Sequence, residues 1–210
     1  MKRLFGLALV VAGLMLAAVA DAHFVWASVD GKSLRLEIAE SPGDSVVPIQ
    51  PAWKDGMHGV GVGPFAFAAD KGHVMAPILG GRASAGLDLL YGIHGTSLIH
   101  WFAKGASSVE AASKPIGLAS EVCLRRVKDG FVVSVVKDGK PASGAVIEAS
   151  MPGVAKVMSL TTSSDGTVRL PASKAGMLSV GAAITVKTPG DFKGAHFDDR
   201  VDMCSLTVRV

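Results

Sequence analysis

Leu87-Asp88-Leu89-Leu90-Tyr91-Gly92-Ile93-His94-Gly95-Thr96-Ser97-Leu98-Ile99-His100-Trp101-Phe102-Ala103 holds two apolar runs parted by Gly95-Thr96. A two-residue turn between such runs predicts an antiparallel hairpin. Its register sets His94 against Ser97 and Tyr91 against His100, with Leu98, His100 and Phe102 on one face and Ile99 and Trp101 on the other. His100 is therefore expected to be at least half buried.

Outward from this hairpin, helical periodicity is nearly absent, while short apolar runs bounded by Gly, Pro, Asp and Ser recur along the chain. That pattern predicts an all-β protein of two β-sandwich domains, immunoglobulin-like or prealbumin-like. We place a first β domain at residues 23–105, a linker at 106–120 around the small, polar run Lys104 to Lys114, and a second sandwich at 121–210. In the first, Phe24 to Ser28 pairs through Asp30-Gly31 with Ser33 to Glu40. Leu34, Leu36 and Ile38 share the apolar face, and Glu40 falls on that side by alternation. Pro42, Pro48 and Pro51 mark a loop. Gly59-Val60-Gly61-Val62-Gly63-Pro64 lacks the Lys-Ser/Thr ending of a phosphate loop and is read as a Gly-rich strand or bend. About seven short strands follow Glu121, with turn signals at Asp129-Gly130, Asp138-Gly139, Pro152-Gly153 and Asp165-Gly166.

The N-terminus reads as a secretory leader. Lys2-Arg3 precede an apolar run from Leu4 to Val19, and Ala20-Asp21-Ala22 has the small-residue spacing of a cleavage site. Residues 1–22 are thus expected to be removed, leaving a periplasmic or secreted protein with no stable membrane anchor. The 210 residues carry 21 basic and 18 acidic side chains; without Lys2, Arg3 and Asp21 the balance is 19 to 17, or +2. There is no basic run or aromatic-plus-basic stripe for nucleic acid. Cys123 and Cys204 are an even pair in an oxidising compartment. Either they form a disulfide, worth roughly 4 kcal/mol if unstrained, or they are separate buried thiols.

Cleavage after Ala22 would make His23 the first residue. Its α-amine and imidazole Nδ1 can then chelate one divalent ion, and neutral imidazole suits zinc, copper, iron and nickel alike. An α-amine has an ordinary pKa near ~8, so protons compete with the metal as pH falls. Further ligands are sought at His100, Glu40 and His94. The alternatives are a core histidine satisfied by a carbonyl or by Tyr91, a strand-end carboxylate in water, and a solvated hairpin-tip histidine. Met57-His58 with His73-Val74-Met75 offers a softer set suited to copper. No Gly-x-Ser-x-Gly elbow or His-Glu-x-x-His occurs, and Asp198-Asp199 after His196-Phe197 reads as a solvated turn.

His23-Phe24-Val25-Trp26, Glu40-Ser41-Pro42, Tyr91-Gly92-Ile93-His94-Gly95 and Trp101-Phe102-Ala103-Lys104 resemble the bacterial DUF4198 family. Gly139-Lys140-Pro141, Gly144-Ala145, Ser164-Asp165-Gly166, Leu170-Pro171, Gly176-Met177-Leu178 and Leu206-Thr207-Val208 are similar to its carboxypeptidase-regulatory-like module. The resemblance implies binding of nickel or cobalt at the exposed N-terminal histidine, in association with a membrane uptake transporter. The chain departs from that pattern near Asp202 to Cys204, so the resemblance lends no ligand from the last strand. Two other readings stand beside it: a non-metal β-sandwich module that binds envelope proteins or glycans, and a copper-dependent polysaccharide oxygenase with an N-terminal histidine brace.

Overall fold

The computed structural model describes residues 23–40, 47–68 and 72–210. The expected leader and the Ser41-Pro42 motif lie outside the described residues. In chain order the first strands are β1 (Phe24–Asp30), β2 (Ser33–Ala39), β3 (Met57–Val60), β4 (Ala66–Ala68) and β5 (His73–Pro77). The predicted hairpin follows as β6 (Ser84–His94) and β7 (Ser97–Ala106), then a short helix α1 (Val109–Ala112). Next come β8 (Ser120–Val127), β9 (Gly130–Lys137), β10 (Lys140–Pro141), β11 (Val146–Ser150), β12 (Met158–Thr161) and β13 (Thr167–Pro171). The last are β14 (Met177–Val186), β15 (Gly190–Phe192), β16 (Ala195–Phe197) and β17 (Asp199–Arg209).

The fold is all-β: three sheets stack in layers, and β15 and β16 pair as a separate two-stranded ribbon. A central sheet runs β12-β11-β14-β17-β7-β6-β3. One face is covered by the sheet β1-β2-β5-β4, the other by β9 with β8 on one edge and β10 and β13 on the other. Each interface holds its own apolar core. Trp26, Leu34, Leu36, Leu87, Leu89, Trp101 and Met203 fill the first. Phe102, Val122, Leu124, Phe131, Val133, Leu178, Cys204 and Leu206 fill the second.

The two halves of the chain therefore share one sheet. The seam is the parallel pair β7–β17, in register from Asp199↔Ser97 to Val208↔Ala106. β7 from the first expected range and β17 from the second thus lie side by side in one layer. Strands at the middle of a three-layer stack are buried on both faces and need no partner sheet of their own. Residues 106–120 are packed: Ala111, Ala112 and Leu118 are buried, and Ser108 caps α1 by accepting from the Ala111 amide at 3.2 Å.

At the hairpin, His94 pairs with Ser97 as the turn predicts, but a bulge between Leu90 and Gly92 sets Leu90, not Tyr91, against His100. Gly92 adopts φ 124°, which a residue with a Cβ rarely does, so the bulge falls there. Leu34, Leu36 and Ile38 are buried as alternation predicts. Glu40 is exposed, because the β1–β2 ladder ends one residue earlier at Phe24↔Ala39.

β1 crosses the central sheet rather than running along it. The Ala27 carbonyl lies over Gly105 of β7, the Ser205 hydroxyl of β17 donates to the Val25 carbonyl at 2.5 Å, and the Phe24 ring rests on Gly181 of β14. A Cβ at Gly181 would stand 2.7 Å from that ring, so glycine is what lets it seat.

Candidate functional site

His23 immediately precedes β1 and is half-buried. Phe24, Val25, Trp26 and Ala27 behind it are all buried, and the Trp26 indole N–H donates to the Ala39 carbonyl at 3.0 Å. The residue is thus held at the end of a fixed strand. The β1–β2 ladder closes at Phe24↔Ala39, and His23 and Glu40 are the residues just beyond that last pair, one on each strand.

His100 is elsewhere. Phe102, on its face of β7, belongs to the second core, whereas Trp101 belongs to the core under β1. The imidazole stacks on the Phe102 ring at 4.2 Å. It therefore faces away from His23, with the central sheet between them. Both ring nitrogens are engaged: Nε2 meets Asp88 Oδ1 at 2.5 Å, and the Arg200 guanidinium donates to Nδ1 at 2.8 Å. The tautomer that satisfies both carries its proton on Nε2. This arrangement is a core histidine with its partners, which are neither a carbonyl nor Tyr91.

The same network continues inward. Arg200 Nε donates to Asp202 Oδ1 at 2.7 Å, while Asp202 Oδ2 accepts from Ser120 Oγ at 2.6 Å and from Lys137. Burial alone would raise the Asp202 carboxyl, but the hydrogen bonds from Lys137, Ser120 and Arg200 prevail and hold it below the usual carboxylate range. Asp199, expected in a solvated turn, accepts from Lys187 and Ser97; those hydrogen bonds, led by Lys187, likewise lower its carboxyl.

His94 is exposed at the hairpin tip. Six rungs of β7 separate its partner Ser97 from Ala103, next to where β1 crosses, which is roughly 20 Å of strand. Met57-His58 begins β3 in the central sheet, whereas His73 and Met75 lie on β5 in the outer sheet. Among the described residues, no three His, Cys, Asp or Glu side chains are grouped to hold a metal ion.

Cys123 and Cys204 are free, buried thiols, so the expected bridge between them is not made. Alternation along β8 explains why. Val122 and Leu124 enter the core that contains Cys204, which sends Cys123 to the opposite side of the strand. There its thiol lies 3.4 Å from Lys104 Nζ. Lys104 and Glu121 are 0% and 1% exposed and form an ion pair at 2.7 Å. Lys104 also donates to the carbonyls of Lys114 at 2.8 Å and Ala112 at 3.2 Å, and Glu121 accepts from the amides of Ile116 and Gly117. The sequence reading placed Lys104 at the start of a solvated linker and missed this cluster. The signal was the unbroken Trp101-Phe102-Ala103 run leading into it.

The class of protein that these features define is an all-β sandwich whose central sheet is covered on both faces. The chain matches no protein-family model and no curated protein. No helix among the described residues is long and apolar enough to cross a membrane.

Proposed function

We propose that the mature protein is a periplasmic or secreted divalent transition-metal-binding protein, capturing nickel, cobalt or copper at its N-terminal histidine for a membrane uptake transporter. The reading assumes removal of residues 1–22. What supports it is the β1–β2 register, whose last pair Phe24↔Ala39 leaves His23 and Glu40 as the next residue on each strand. Amine, imidazole and carboxylate would then offer three donors, a set that suits these borderline cations. A pinned terminus also avoids the entropy cost of ordering a flexible one on the ion.

An oxygenase reading would need a second histidine beside His23, and His100 lies on the other side of the central sheet. The test is calorimetric titration of the secreted protein with nickel, cobalt and copper, after its mass has established where the leader is cut. Beside it go Glu40→Ala and a variant with one extra residue before His23. We expect one site per chain, weakened by Glu40→Ala, lost on extension and weakened by acid. Equal binding by the extended protein, or no binding by the mature one, refutes the proposal.

A further inference from the structure

We propose that Lys104 and Cys123 form an oxidation-dependent covalent cross-link, a nitrogen–oxygen–sulfur bridge from Nζ to Sγ. The two atoms sit 3.4 Å apart in a closed compartment with Glu121 Oε1 2.7 Å from the nitrogen and 3.8 Å from the sulfur. All three side chains are buried, so their encounter is fixed by the fold rather than by chance motion. The geometry also selects the product. A direct sulfur–nitrogen bond requires the two atoms to close by about half their separation, pulling β7 toward β8, whereas a single inserted oxygen fills the gap with little movement. Cys123 has no thiol partner, which removes the competing disulfide.

The oxidant is dioxygen, small and apolar enough to enter a core. The Lys104 ammonium first passes one proton to the Glu121 carboxylate, giving a neutral amine and a carboxylic acid. Amine, thiol and dioxygen then yield the bridge and one water. One N–H bond, the S–H bond and the O=O bond break, N–O and O–S bonds form, and both hydrogens leave with the second oxygen. Nitrogen and sulfur each give up two electrons, and dioxygen takes all four. Burial raises the Cys123 thiol's pKa, with the Lys104 charge working against it, so the sulfur rests as a thiol. The bridge would tie β7 to β8, the strands on either side of the packed 106–120 segment.

Cys204 supplies an internal control. It is buried too, and Lys104 is not among the groups that act on it. Wild-type protein is held either anaerobically with dithiothreitol or under dioxygen without it, then denatured, alkylated and mapped by mass spectrometry. Under dioxygen we expect Cys123 alkylation to fall several-fold while Cys204 stays reactive. A Lys104–Cys123 linked peptide should appear with the mass of both peptides plus one oxygen less two hydrogens, and dithiothreitol should reverse it. Cys204→Ser should retain the link and Cys123→Ser should lack it. Equal alkylation of both cysteines, a link to Cys204, or a linked peptide without the added oxygen overturns the proposal.

Discussion

Replacing Lys104 with Met keeps most of the side chain's length and removes its charge. The ammonium serves Glu121 Oε1 at 2.7 Å and the carbonyls of Lys114 and Ala112 at 2.8 and 3.2 Å. After the change Glu121, 1% exposed, keeps the amides of Ile116 and Gly117 but loses its counter-charge in a compartment that water does not reach. Breaking one side of a buried pair costs about 3–5 kcal/mol, chiefly as the penalty of the stranded charge. A domain's whole stability is about 5–15 kcal/mol. At about 2–4 °C per kcal/mol for a chain of this size, the midpoint should fall by roughly 6–20 °C. Urea unfolding followed by tryptophan fluorescence, with dithiothreitol present to keep Cys123 reduced, gives the free energy directly. The double variant Lys104→Met with Glu121→Leu removes both charges and should regain most of the loss. A single-variant cost under about 1 kcal/mol, the range of an exposed pair, would refute the reasoning. So would a double variant whose loss is the sum of the two single ones.

Gly181→Ala puts a methyl group 2.7–3.0 Å from three atoms of the Phe24 ring. Overpacking of this kind costs about 1–3 kcal/mol; a lower urea midpoint should come with weaker nickel binding, because Phe24 holds the strand that begins at His23. Asp202 has a carboxyl held below its unfolded value, so its contribution is present above the ordinary carboxylate pKa of about 3.9 and fades as pH falls through the folded value. Asp202→Asn should lower stability at neutral pH and flatten the acid limb in urea midpoints measured across that window; parallel pH profiles for the two proteins would count against it.

How far the sequence could be read depended on how local each feature is. Leu34, Leu36 and Ile38 alternate within one strand, and Gly95-Thr96 is a turn two residues long, so strand facing and the His94↔Ser97 pairing were legible. The bulge at Gly92 was not, since a single extra residue shifts every pairing beyond it and only the positive φ of that glycine marks the place. The seam between β7 and β17 joins residues a hundred positions apart in parallel, with no turn to announce it. Its trace in the sequence is that Trp101-Phe102-Ala103 and Met203-Cys204 are apolar at successive positions, as strands buried on both faces must be. Arg200, which holds His100, and its own partner Asp202 belong to that seam and were hidden with it.

The same seam decides which ligand candidates can meet. In a sheet covered on both sides, the parity of a residue along its strand assigns it to one layer or the other. On β7 the odd positions Ile99, Trp101 and Ala103 enter the core beneath β1, and Phe102 enters the opposite core. His100 is even, so no adjustment of rotamer or loop brings its imidazole to the terminus; it would have to pass through the sheet. Moving His100 by one register step would place it correctly, but at the cost of driving Trp101 and Phe102 into each other's layers. Under the proposal above, a ligand for His23 would have to come from the layer that contains β1, and of the three candidates Glu40, the residue after the last paired residue of β2, is the one that belongs to it.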